Sequence, residues 1–93
     1  MDREHAKKLA TGELGPYREI DYLDLERKVG MQESFERITD AGESYQVEIG
    51  FVTDSDESKA VRVMAMVSYS MWTSFAPVGV SFIRAPDGSV VDE

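Results

Sequence analysis

The feature that most constrains this chain is a change of hydrophobic period at Gly42. Beyond it, Tyr45, Val47, Ile49 and Phe51 alternate with Gln46, Glu48 and Gly50. Side chains on a strand point to opposite faces in turn, so that pattern predicts a strand with one buried face. Val61, Val63, Ala65, Val67 and Tyr69 repeat the pattern, and Val78, Val80 and Phe82 repeat it again. Ala85-Pro86-Asp87-Gly88 reads as a type I turn, with Pro in its second position and Gly closing it. The expectation is a three- or four-stranded antiparallel meander over about 44–53, 60–73, 77–84 and 89–92. The second strand is long, which calls for a bend or bulge within it.

Before Gly42 the signal is helical. Residues 2–11 are rich in helix formers, with Asp2 placed as N-cap and Gly12 as a stop. Ala6, Leu9 and Ala10 are the only residues of this stretch able to face a core, and Gly15-Pro16 punctuates the chain beyond it. Leu25 and Val29 lie four apart, and Met31, Phe35 and Ile38 come next at spacings of four and three. That stripe predicts a helix over about 24–41, capped by Asp21 or Asp24. Gly30 divides it, so either one kinked helix or two short ones meet there. Gly42 supplies the left-handed exit. The predicted class is α+β, with helices packed on one face of the meander.

Ninety-three residues make a single domain, 1–93, folding alone or as a small homo-oligomer. An apolar fraction of 42% is enough for a core. The absence of cysteine favours a reducing, cytoplasmic setting. The first residues carry no apolar stretch of the signal-peptide kind. The run from Val63 to Ile83 is interrupted by Ser, Thr, Pro and Gly, so no membrane segment is read.

The net charge is −8, with eleven acids against seven bases in residues 1–43 and seven against three in residues 44–93. Nucleic-acid sites need clustered Lys and Arg, and no basic arm or stripe exists here. Acidity spread this evenly reads first as solubility, and second as an acidic face for a basic partner.

Catalytic and metal constellations fail on residue type. His5 is the only histidine, and it has no nucleophile or second ligand at useful spacing. Asp54-Ser55-Asp56-Glu57-Ser58 opens like a calcium loop, but Lys59 and Ala65 stand where Gly and a bidentate Glu are required. Asp21 with Asp24, and Glu33 with Glu36, would share a helix face and read as surface ion pairs. No serine sits in a nucleophile elbow. The expectation is no cofactor, no metal and no enzyme.

One feature stands out from this background. The sheet face opposite the valines carries Arg62, Met64, Met66, Ser68, Ser70 and Trp72, with small or mixed residues beside them. A plain solvent face would be richer in Lys, Glu and Thr. Met, Trp and Arg are enriched at interfaces, and Phe75 extends the patch. Either a helix, the N-terminal segment or a curled sheet covers these residues, or they form an interface. Arg62, Met64, Met66, Trp72 and Phe75 are therefore the candidate interaction residues of a non-enzymatic accessory, inhibitor or immunity-like module. Its partner is another protein or a second copy. The alternative is a small-molecule-binding domain or dimeric enzyme whose pocket, between helices and sheet, would gather Tyr22, Tyr45, Arg62, Tyr69 and Arg84.

Overall fold

A computed structural model describes residues 2–70 and 77–92. Helix α1 spans Arg3–Arg18 and α2 spans Tyr22–Arg27. Five strands follow: β1 Gln32–Ile38, β2 Ser44–Thr53, β3 Val61–Ser68, β4 Val78–Arg84 and β5 Val90–Asp92. They form one antiparallel sheet in chain order, β1-β2-β3-β4-β5. Both helices pack on one face, so the α+β class and the one-sided helical layer hold. Among the described residues, no helix is long and apolar enough to cross a membrane.

The core follows from the period-2 pattern. Val47, Ile49 and Phe51 of β2 meet Val67, Ala65 and Val63 of β3, which in turn meet Val78, Val80 and Phe82 of β4. Against them α1 lays Ala6, Ala10 and Leu14, spaced four apart, and α2 lays Leu25. Ala6, Ala10 and Leu25 are 0% exposed and Leu14 is 1%. The small alanines let α1 approach the sheet closely, and Leu14 fills the space beyond them.

Asp2 caps α1 as expected, accepting the His5 N–H at 2.7 Å. The helix does not stop at Gly12. It continues through Gly12 and Gly15, each costing about 1 kcal/mol relative to Ala, because its buried stripe runs on to Leu14 and Tyr17. Burying a leucine returns about 1.5–3 kcal/mol, and Tyr17 adds an edge-on contact with Phe51 at 5.5 Å between ring centres. Pro16 is accommodated in the final turns. The outgoing carbonyl of Arg18 accepts a 2.6 Å hydrogen bond from Arg84.

The predicted helix over 24–41 is overturned in its second half. Asp21 caps α2 through the Asp24 N–H at 2.9 Å, but α2 ends at Arg27. Gly30 then adopts φ +90°, and its N–H donates to the Phe51 carbonyl at 2.9 Å, which hooks the chain onto β2. From Gln32 onward it is an edge strand. Phe35 faces the core opposite Val47, whereas Ile38, opposite Ser44, faces the other way. The helical spacing of Met31, Phe35 and Ile38 is a coincidence of one core-facing and two exposed residues. Gly42 does adopt a positive φ, but in the β1–β2 hairpin turn rather than at a helix end. The β3 strand ends at Ser68, with Tyr69 and Ser70 beyond it, and the remainder of the predicted span, 71–73, lies outside the described residues. The turn after β4 forms as expected, with Gly88 N–H bonded to Ala85 O at 2.9 Å.

Candidate functional site

The face of the sheet away from the helices is built in cross-strand rows. Val52, Arg62, Ile83 and Val91 form one row. Gly50, Met64 and Ser81 form the next, then Glu48, Met66 and Gly79. The two methionines take the room that the glycines leave. A Cβ added at Gly50 would meet Met64 Cε at 3.4 Å, and one added at Gly79 would meet Met66 Cγ at 3.5 Å. Each Met thus lies across a bare stretch of neighbouring backbone. Together with Ser81 they line a shallow groove of about 290 Å³.

Apolar exposure gathers around this centre. Of the large hydrophobic residues left exposed, Ile38, Val52 and Val91 lie on this face, at 70%, 40% and 57%. Among the described residues, the buried side chains of α1 and α2 all join the opposite, valine-bearing face. Arg62 is held in place rather than free to move. It pairs with Asp54 at 2.8 Å and donates to Ser81 Oγ at 3.2 Å, so its charge is locally matched. Gln32 donates to Glu48 at 3.2 Å and adds a polar border. The structure therefore brings Arg62, Met64 and Met66 together, each half-buried, on a surface that neither α1 nor α2 covers. Trp72 and Phe75 lie outside the described residues.

The five polar residues considered for a pocket between helices and sheet do not converge. The Tyr22 hydroxyl lies 2.6 Å from the Lys59 carbonyl and 2.8 Å from Glu26, and tethers α2 to the β2–β3 loop. Arg84 donates to the Gly88 carbonyl at 2.8 Å and to Arg18, joining the β4–β5 turn to the end of α1. Tyr45 belongs to the buried cluster, Tyr69 packs against that cluster's margin, and Arg62 lies on the other face. Among the described residues, the centre of the layer between helices and sheet is filled by buried side chains. At its edge His5 and Leu9 of α1 border a cleft of about 410 Å³ with Tyr45 and the β1–β2 hairpin, which gathers none of the other four.

A second polar constellation, between α1 and β1, was not legible in the sequence. Arg37 forms a two-pronged pair with Glu13, at 3.1 and 3.4 Å, while stacking over Phe35 at 4.4 Å. The Tyr17 hydroxyl donates to Glu33 at 3.0 Å. Partial burial, then the hydrogen bond to Glu33 and the charges of Glu33 and Glu13, pushes the Tyr17 hydroxyl up to about 12. Burial, then the charge of Glu13, raises Tyr45 as well. A helix over 31–38 would set Glu33 and Glu36 on one side. On a strand, residues three apart point to opposite faces, so Glu33 turns toward α1 and Glu36 toward the open face. Arg37 offsets Glu13, the Tyr17 hydroxyl satisfies Glu33, and together they tie the edge strand to the helix.

Comparison with known protein families, with curated proteins and with solved structures gives no match.

Proposed function

We propose that this chain is a non-enzymatic protein-interaction module, of the accessory, inhibitor or immunity-like kind, that binds its partner through the open face of its sheet. The observation carrying this reading is the one-sided helical layer. It leaves Met64 and Met66 lying over glycine backbone, with exposed Val52 and Val91 on the same face. Methionine adapts its shape to a partner surface, and the few central, fully desolvated residues of an interface carry most of its binding energy, each worth about tenfold or more in affinity. The net charge of −8 would speed encounter with a basic partner, and the apolar centre would hold it.

The test is affinity capture from the native cell, comparing the wild type with Met66→Glu. Far-UV circular dichroism should be unchanged, because Met66 lies outside the helix-packed core. A partner held in stoichiometric amount by the wild type should be lost, with affinity down at least about tenfold. Equal capture by both proteins, or no stoichiometric partner for either, would sink the proposal.

A further inference from the structure

We propose that two copies of this chain join edge to edge through β1, antiparallel about a two-fold axis at Phe35, making one continuous ten-stranded sheet. β1 ends the strand order, so one of its sides is unpaired within the described sheet. The direction of its amides can be read from the hairpin. Thr39 N–H donates to Glu43 O at 2.8 Å, and bonded pairs recur at every second residue of an antiparallel ladder. Glu33, Phe35 and Arg37 therefore turn their backbone groups toward β2. Gln32, Ser34, Glu36 and Ile38 turn theirs outward.

That parity restricts how a second copy can dock. An antiparallel two-fold pairing must oppose outward residues to outward residues, so its centre falls on Ser34, Phe35 or Glu36. A centre on Glu36 sets Glu36 against itself. A centre on Ser34 leaves Ile38 unpaired and sets Glu33 against Phe35. Only a centre on Phe35 uses the whole strand. It bonds Ser34 to Glu36 and Gln32 to Ile38, and it places Glu33 opposite Arg37 of the second copy, twice over. Opposite charges directly across a sheet favour pairing, whereas like charges oppose it. Arg37 can serve both neighbours, since Glu13 takes Nε and Nη2 and leaves Nη1. The charges that would repel a foreign strand at this edge are thus complementary to the edge itself. A two-fold axis of this kind leaves both helical layers on one side and merges the two open faces on the other.

Sedimentation equilibrium should show twice the 10.4 kDa chain mass as concentration rises. Glu36→Pro removes an outward N–H and spares the β1–β2 ladder, a place where edge strands tolerate proline. It should weaken association roughly thirtyfold or more, two symmetric hydrogen bonds being lost, with the circular dichroism retained. Ser34→Lys sets a positive charge opposite Glu36 of the second copy and should tighten association about fivefold. The register itself is read by oxidation, since the chain has no cysteine. Phe35→Cys should cross-link to a covalent dimer and Ser34→Cys should not, because only directly opposed residues reach disulfide distance. If Phe35→Cys does not fold, Glu33→Cys with Arg37→Cys reports the same register. A wild type that stays monomeric at about 1 mM, far above ordinary working concentrations, would overturn the inference. So would a dimer that Glu36→Pro leaves intact and Met66→Glu dissolves, since that dimer would use the open face instead. Loss of partner capture by Met66→Glu with the dimer unchanged keeps this inference separate from the proposed function.

Discussion

At the scale of single residues, two positions carry more than their side chains suggest. Gly30 stands at φ +90° with open space around it, so a methyl group would meet nothing. The cost of Gly30→Ala is therefore conformational alone. It should destabilise the fold by about 1 kcal/mol, measured by urea unfolding, because an L-residue is strained in that region. Tyr17 is the other. Its hydroxyl titrates near the usual tyrosine value of about 10 in the unfolded chain, but near 12 when folded beside Glu33 and Glu13. The folded state thus keeps a proton that the unfolded state releases. The stabilisation is complete below about pH 10 and is lost as the pH rises toward 12. Urea midpoints should fall more steeply in the wild type than in Tyr17→Phe between about pH 10 and about pH 12. Equal slopes would show that burial and the Glu33 bond together do not raise the Tyr17 hydroxyl in the folded chain. Tyr22, raised by its bond to Glu26, and Tyr45, raised by burial, act in both proteins and cancel from the comparison.

At the scale of elements, α2 is the piece most dependent on its surroundings. Six residues cannot hold a helix in water, because nucleation costs more than so few hydrogen bonds return. Its only buried residue is Leu25. Leu25→Ala should cost about 2–5 kcal/mol, and hydrogen exchange should show α2 losing protection before the central strands. Uniform loss across the sheet would mean that α2 belongs to the same cooperative unit. The strand β1 shows the opposite dependence. Its one core-facing aromatic, Phe35, is supported by long polar reaches, Arg37 to Glu13 and Glu33 to Tyr17, rather than by an apolar stripe. For this reason its sequence did not look like a strand. By contrast β2, read as 44–53, has those borders in the structure, since every second residue there meets a packed neighbour. α1 outran its expected end because Leu14 and Tyr17 outweighed two glycines.

At the scale of the whole molecule, the defining property is asymmetry. Helices cover one side of the sheet, and the other side mixes methionine, glycine and serine. Met66→Glu is expected to keep the secondary structure because the core of the described residues lies between helices and sheet. The new carboxylate stands opposite Glu48, a like-charge pair that costs under about 1 kcal/mol. Charge is spread along the chain, while the organisation is in the two faces and the β1 edge. The alternation beyond Gly42 was enough to determine the meander, its core face and the Met64/Met66 surface, because period-2 burial is a local property of a strand. The caps at Asp2 and Asp21 and the turn at Pro86-Asp87-Gly88 were local too. Tertiary structure alone decided that residues 32–38 form a strand and that α1 extends to Arg18. It also decided that Glu13, Tyr17, Glu33 and Arg37 meet. Each of these depends on partners far along the chain, where long-range pairing and burial override a local pattern that favoured, or failed to exclude, another structure.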